Sequence, residues 1–203
     1  ARLLPDGSID TSFETFFFSY SSIGIVASPD GKIYYTENGQ LKRLNADGTT
    51  HDAYSPVREA NDSYAEIRVQ GEKILVMTVR VSATSPFEQA RVIRRINADG
   101  TFDDSFHEGL LDNWADDFKV LPNGSILLAG SFINYDGTQG SAFKLNADGT
   151  LAGTLLNPYY RDVKSIAGDG NGSYVVTGNF RIPSSETKRH VARINSNKEL
   201  DLD

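Results

Sequence analysis

A phrase of seven residues recurs five times along this chain, and its spacing limits the fold more tightly than any other feature of the sequence. The copies occupy residues 2–8, 43–49, 95–101, 144–150 and 193–199. Three of them read Arg or Lys, then Leu or Ile, then Asn-Ala-Asp-Gly-Thr, whereas the last has Lys198 at the glycine position. Measured at that position, the intervals are 41, 52, 49 and 49 residues. A period of this size is typical of repeat architectures, which usually bind rather than catalyse.

The residues between the repeated phrases predict short β-strands. Runs of β-branched and aromatic residues are interrupted by Gly, Asn and Asp every 8 to 12 residues, and the 203-residue chain holds 18 Gly, 11 Phe and 9 Tyr. Both features are typical of all-β proteins. The sequence has no long apolar stripe with a period of 3.6 residues, so we expect almost no helix. For this length one domain is the default expectation.

The charge and cysteine content exclude several classes of function. The net charge is −7 and the Lys and Arg residues are scattered, without the basic patch that nucleic acid binding requires. The chain has no cysteine, which excludes disulfides and thiolate metal sites. No apolar run approaches the roughly 20 residues that span a bilayer, so we expect no membrane insertion. Residues 1–6 lie within a repeat and do not resemble a signal peptide, and we expect a cut or processed end there.

Each full repeat predicts two β-hairpins. In the clearest repeat the first hairpin turns at residues 122–124 and the second at 146–149. Four strands in roughly 50 residues is the size of a β-propeller blade, whereas a β-solenoid coil would need about half that length. The units are residues 1–13, 14–54, 55–106, 107–155 and 156–203. We therefore predict an all-β protein, a β-propeller with four-stranded antiparallel blades, about four of them complete after an N-terminal half-blade. This propeller is either closed alone or completed by further blades from the same or another chain.

The sequence resembles the delta-60 repeat, a family of β-propeller repeats in large bacterial surface proteins and phage tail-associated proteins. The resemblance is carried by the Asn-x-Asp-Gly turns, by Asp-x-Ser-Phe at residues 10–13 and 103–106, and by Pro-Asp-Gly-Lys-Ile at 29–33. The chain departs from the pattern at residues 51–54 and 152–155 and at Lys198. The resemblance implies a propeller fold on a bacterial surface or a virion, and it implies no catalytic residue.

The connections that vary between repeats define the face on which we expect binding. With the strands of a blade named a to d from the axis outward, the a–b and c–d turns are short and share one face. The b–c connections and d–a crossovers share the other face, and they differ in every repeat, as recognition loops on a fixed scaffold do. The crossovers are rich in aromatic residues, which suit stacking on a glycan or a protein epitope. The candidate ligand-binding residues are Tyr20, Tyr64, Asp112, Trp114, Asp116, Tyr135, Tyr159, Tyr160 and Arg161.

Packing between neighbouring repeats is the competing role for these aromatic residues. Phe13, Tyr54 and Phe106 each follow a turn glycine by six residues, and this regularity predicts packing. Trp114 and the pair at residues 159–160 are out of register between repeats, so both roles stay open for them.

Patterns for catalysis and metal binding are weak. Acidic residues around Gly100 lack the spacing of an EF-hand loop, so a hairpin turn explains them, and weak calcium binding is the one cofactor left open. The histidines His51, His107 and His190 fall at unrelated positions of their repeats, and we expect them at the surface. The carboxylate pairs at 103–104 and 116–117 are adjacent in sequence, so a glycosidase pair would have to be assembled from different blades.

The sequence therefore favours a non-catalytic recognition or scaffold module that binds a glycan or a protein surface through one propeller face. The expected setting is a bacterial surface or a phage virion, and no catalytic residue and no metal ligand is predicted. The alternative is a propeller-type hydrolase, a glycosidase or lactonase with carboxylates near the axis. A purely architectural role is a third reading.

Overall fold

The structure is a computed structural model that describes most of the chain. The described residues are 1–14, 24–51, 53–60, 62–81, 89–133, 139–156, 163–168, 172–181, 188–197 and 200–201. They form two compact bodies. The N-terminal body comprises Ala1–Val79 and Arg95–Asp103, and the C-terminal body comprises Arg80–Arg94 and Asp104–Asp203. The boundaries of the five repeats stay a prediction.

The N-terminal body is built from two groups of antiparallel strands. The first sheet has the order β1 (Ile25–Ala27), β2 (Ile33–Glu37), β3 (Gln40–Leu44). The second group consists of β4 (Asp62–Gln70), β5 (Lys73–Val81) and the end of β6 (Gln89–Ile96). Single antiparallel bridges, Leu3 with Ile9, Leu44 with Thr50 and Ile96 with Phe102, lie where each repeat is predicted to have its outermost strand.

The C-terminal body contains two groups of four strands, each joined in sequence order. The first comprises β7 (Gly109–Val120), β8 (Ile126–Ile133), β9 (Gln139–Leu145) and β10 (Leu151–Leu156). The second comprises β11 (Val163–Gly168), β12 (Tyr174–Arg181), β13 (Lys188–Ile194) and β14 (Leu200–Asp201). The pairings within both groups are antiparallel. The described residues contain no helix, and the all-β prediction is confirmed.

Each body has a core that joins two consecutive repeats. In the N-terminal body, Tyr34 and Leu41 of one repeat share a buried cluster with Ile67, Ile74 and Ile96 of the next. The cluster of the C-terminal body likewise combines residues of β8 to β10 with residues of β11 to β13. A single sheet cannot bury its own apolar face, so the repeats stabilise one another.

The Asn-Ala-Asp-Gly turns form the same hydrogen bonds in each described copy. In the copy at residues 45–49, Gly48 N donates to Asn45 O at 3.0 Å, and the Asp47 carboxylate accepts from Thr49 N and Thr49 Oγ1 at 3.0 and 2.7 Å. The same bonds recur at residues 97–101 and 146–150. The side chain of Asp thus completes a turn whose glycine has positive φ, as the sequence predicts.

Each of these turns docks against the aromatic residue of the preceding repeat. A Cβ built on Gly48 would lie 2.9 Å from Phe13 Cζ, and one built on Gly149 would lie 2.8 Å from Phe106 Cζ. Backbone hydrogen bonds join the same segments, with His107 N donating to Asp148 O at 2.7 Å and Glu14 N donating to Asp47 O at 2.8 Å. The predicted packing role of the in-register aromatic residues is confirmed.

The close approach predicts that two glycines with the same backbone conformation differ in their tolerance of a side chain. Gly149 and Gly172 have φ of 89° and 93°, so alanine costs about 1–2 kcal/mol of backbone strain at either position. At Gly172 the nearest atom to an added Cβ is Ser196 Cβ at 3.8 Å, an ordinary contact, whereas at Gly149 the Cβ meets the Phe106 ring and the His107 carbonyl. Gly149→Ala is therefore expected to lower the free energy of unfolding by about 1–3 kcal/mol more than Gly172→Ala, measured by urea denaturation. Equal losses would show that the turn is not held against Phe106.

Candidate functional site

A cavity of about 450 Å³ opens in the N-terminal body. Its volume lies within the range of small-molecule sites. The lining residues are Tyr35, Gln40, Leu41, Lys42, Arg43, Thr50, His51, Tyr54, Ser55, Pro56, Arg58 and Tyr64. They come from β2 and β3, from the bridge around the turn at residues 45–48, from the crossover at residues 54–58 and from the start of β4.

Backbone hydrogen bonds fix the crossover that forms one wall. Tyr54 N donates to His51 O at 2.9 Å, and Val57 N donates to Gly100 O at 3.0 Å in the turn of the next repeat. The Tyr64 hydroxyl also donates to the Val57 carbonyl. The wall is thus pre-formed by the same turn docking that joins the repeats.

The lining of the cavity is basic although the chain as a whole is acidic. The described residues of the lining include Lys42, Arg43, Arg58 and His51 and no Asp or Glu, whereas the net charge of the chain is −7. Lys42 pairs with Glu37 at 2.6 Å, and this contact raises the pKa of Lys42. The Arg43 and Arg58 side chains bond backbone carbonyls instead, of Ala98 and Asp62 respectively, each at 2.9 Å. Within the described part of the chain, the guanidinium groups of Arg43 and Arg58 are thus paired with backbone carbonyls and not with a carboxylate.

Arg43 is held between an aromatic ring and a histidine. Its guanidinium carbon lies 4.4 Å from the centroid of the Tyr54 ring and 6.0 Å from that of Tyr34. Its Nη2 lies 2.9 Å from His51 Nε2. Because an arginine nitrogen can only donate, His51 Nε2 accepts, and the proton of the neutral imidazole is then on Nδ1.

Three polar atoms of this cluster are buried without a hydrogen-bond partner. They are Arg43 Nε, His51 Nδ1 and the Tyr54 hydroxyl. Burial, followed by the neighbouring Tyr34, raises the pKa of Tyr54 well above its usual range, so the hydroxyl is neutral. Buried polar groups of folded proteins are nearly always hydrogen-bonded. Three exceptions in one cluster indicate a site where a polar ligand can supply the missing hydrogen-bond partners.

The predicted ligand-binding residues do not lie together in one described site. Tyr64 is 1% exposed and belongs to the core of the N-terminal body, and it also lines the cavity, so its role in ligand binding stays a prediction. Asp116 lies in β7 and pairs with Lys164 of β11 at 3.2 Å. The backbones of Asp112 and Trp114 pair with Ile133 and Ser131 of β8. Tyr20, Tyr135, Tyr159, Tyr160 and Arg161 lie outside the described residues.

Sequence reasoning missed Arg43 and His51. His51 was expected at the surface, but it is half-buried and bonded to Arg43, which corrects that expectation. A signal was present in the sequence, because His51 stands eight residues after the repeat arginine, where three other copies have Asp10, Asp103 and Asp201.

Within the described part of the chain, no group of three or more His, Cys, Asp or Glu side chains is placed to share a metal ion. The same residues include no helix that is long and apolar enough to cross a membrane.

The strand arrangement and a family comparison together define the class of the fold, which is a β-propeller. The sequence model of a family described as "Domain of unknown function (DUF5122) beta-propeller" matches residues 1–13, 87–106 and 121–151. The predicted fold class is thereby confirmed. A comparison with curated proteins gave no match.

Several solved structures are similar to this chain. A protein of unknown function from Bacteroides caccae shares 13% identity over 88% of this chain and 79% of its own length, with a TM-score of 0.38. An exo-β-1,3-galactanase from Phanerochaete chrysosporium shares 10% identity over 94% of this chain and 50% of its own, with a TM-score of 0.45. A virginiamycin B lyase from Staphylococcus aureus shares 13% identity over 89% and 83%, with a TM-score of 0.34. None of these similarities assigns a ligand or an activity to this chain.

The unpartnered hydroxyl of Tyr54 gives a testable prediction. Tyr54→Phe is expected to leave the free energy of unfolding unchanged or to raise it by up to about 1 kcal/mol, because a buried donor without an acceptor is removed. Tyr64→Phe is the matched control, and it is expected to lose about 1–2 kcal/mol because that hydroxyl donates to Val57 O. Thermal and urea unfolding measure both. A loss for Tyr54→Phe as large as that for Tyr64→Phe would contradict the geometry.

Proposed function

We propose that this protein is a non-catalytic recognition and scaffold module that binds a glycan or a protein surface. The observation that carries the proposal is the basic cavity of about 450 Å³, whose crossover wall is fixed by backbone bonds. A rigid wall with polar groups pointing to a ligand-sized space lowers the entropy cost of binding. The repeats supply the scaffold, and the crossover at residues 54–58 supplies a binding wall.

The chemistry of the lining supports binding over hydrolysis. A glycosidase uses two carboxyl groups that flank the scissile bond. The residues of the lining that the structure describes include no Asp or Glu. In the C-terminal body the adjacent carboxylates of β7 form structural contacts, Asp116 with Lys164 and Asp117 with Lys119 and Ser165.

The setting we propose is a bacterial surface or a phage virion. The support is the resemblance of the turns and of the Asp-x-Ser-Phe segments to delta-60 repeats. We also propose that further blades, from the same or another chain, complete the propeller. Nucleic acid is not among the proposed partners, because the charge of −7 disfavours a polyanion of that size. Binding requires no metal, so chelation by EDTA is expected to leave it unchanged.

Filling the cavity tests the proposal. Ser55 is exposed and lines the cavity, so Ser55→Trp is expected to fill part of the space and to weaken binding at least about tenfold. Glu72→Trp is the matched control, because it adds the same ring to an exposed turn residue outside the lining. Binding is measured on a glycan array and on a panel of immobilised bacterial surface proteins, followed by calorimetry on the best ligand.

The same samples are assayed for hydrolysis of labelled glycosides and lactones. We expect Ser55→Trp to weaken binding and Glu72→Trp to leave it intact. We expect no turnover of the labelled substrates in any sample. Turnover abolished by a single Asp or Glu substitution would replace the proposal with the hydrolase alternative. Absence of binding to every glycan and protein would leave the architectural role.

A further inference from the structure

The repeat arginine has a carboxylate partner in two described copies of the phrase. In the first copy Arg2 Nε donates to Asp10 Oδ2 at 2.8 Å, and Arg2 Nη2 lies 2.7 Å from the same oxygen. In the third copy Arg95 Nε donates to Asp103 Oδ2 at 2.5 Å. Each aspartate follows its arginine by eight residues. The Ser12 hydroxyl and then Arg2 lower the pKa of Asp10 to about 2, so this pair is charged throughout the neutral range.

The second copy keeps the arginine and changes its partner. His51 occupies the position of Asp10 and Asp103, and the Arg43 Nε has no hydrogen-bond partner. The stacking is retained, since Arg2 lies 4.9 Å from the Phe13 centroid and Arg43 lies 4.4 Å from that of Tyr54. Arg43 therefore has its orientation fixed by the ring contact, but His51 stands where other copies have an aspartate to balance its charge. Arg43 also lines the cavity.

We propose that this cavity binds a carboxylate-bearing sugar, and that the ligand carboxylate takes the place at Arg43 that an aspartate holds in the other copies. The inference rests on the proposed recognition function and specifies its ligand class. Arginine suits the task because its planar fork bonds both oxygens of a carboxylate. Arg58 adds positive charge to the same cavity, whereas the charge of Lys42 is compensated by Glu37.

Binding requires a movement of the histidine ring. Arg43 Nε and His51 Nδ1 are both closed to solvent in the free chain. His51 Nε2 lies 2.9 Å from Arg43 Nη2, and in this proposal the His51 side chain changes its rotamer so that a ligand oxygen reaches Arg43 Nε. The Tyr54 hydroxyl is then available to a ligand oxygen as well, so two unsatisfied groups gain partners together and the histidine ring itself makes no bond to the ligand.

The remaining lining favours a saccharide over an acidic peptide. Gln40, Thr50 and Ser55 offer an amide and two hydroxyls that match sugar hydroxyl groups. The Tyr35 and Tyr54 side chains contribute to the apolar part of the lining.

The test exchanges one residue for its counterpart in the other copies. His51→Asp supplies Arg43 with the internal carboxylate that Arg2 and Arg95 have, and we expect it to weaken binding of an acidic glycan about tenfold to a hundredfold without loss of thermal stability. His51→Asn removes the ring without adding a charge, and we expect it to stay within about threefold of the parent. Asn123→Asp is the charge control, since it adds one negative charge at a turn position where another repeat has Asp30.

The probes are uronate- and sialate-terminated oligosaccharides, the same oligosaccharides reduced at the carboxyl group, and hexaglutamate. Binding is measured by calorimetry for the parent and the three variants. We expect the acidic glycans to bind at least about tenfold more tightly than their reduced forms, and this preference to vanish only in His51→Asp.

Each other outcome overturns a defined part of the account. Equal binding of acidic and reduced glycans, weakened by Ser55→Trp, would refute the carboxylate inference and leave the recognition function standing. Equal losses in His51→Asp and His51→Asn would refute the role of charge compensation at Arg43. Binding of hexaglutamate in place of glycans would refute the ligand class, and binding of no probe or partner would refute both proposals.

Discussion

The contact on which this structure depends is the docking of each Asn-Ala-Asp-Gly turn against the aromatic residue of the preceding repeat. The turn glycine admits the ring and the backbone at distances that a side chain would block, as at Gly149 beside Phe106. The hydrogen bond from His107 N to Asp148 O fixes the same junction. One short phrase thus determines both the hairpin within a repeat and the packing of that repeat against its neighbour, which explains why its period is maintained along the chain.

The same docking also builds the candidate site. The turn at residues 97–100 accepts Val57 N and the Arg43 side chain, which holds the crossover and the guanidinium in place. Because the position of Arg43 is fixed in this way, a change at one residue alters the charge balance around its guanidinium. His51 stands where other copies have an aspartate that pairs with the arginine. Repeat proteins gain new sites by such local exchange, since the scaffold tolerates variation at positions that do not carry the packing.

The sequence predicts the scaffold well because local signals determine it. The turns at residues 45–48 and 146–149 follow from Asn, Asp and Gly chemistry, and the packing of Phe13 and Phe106 follows from their regular spacing. Arg43 and His51 were not predicted as site residues, because the prediction rested on crossover aromatic residues and on the acidic and basic residues beside them. The contacts of Arg43 with Tyr54, His51 and Ala98 combine residues up to 55 positions apart, and only the folded chain brings them together. Tyr64 belongs to the core and also lines the cavity, so its role in ligand binding stays a prediction.

The most direct test of the central claim is nuclear Overhauser spectroscopy on protein with labelled phenylalanine and glycine. The account predicts cross-peaks from the Phe13 ring to the Gly48 α-protons and from the Phe106 ring to those of Gly149, because both rings lie against these turns. Gly172 serves as the internal reference, because the nearest atom to an added Cβ there is Ser196 Cβ at 3.8 Å and not an aromatic ring. Absence of the Phe13 and Phe106 cross-peaks in a protein with well-dispersed spectra would contradict the account.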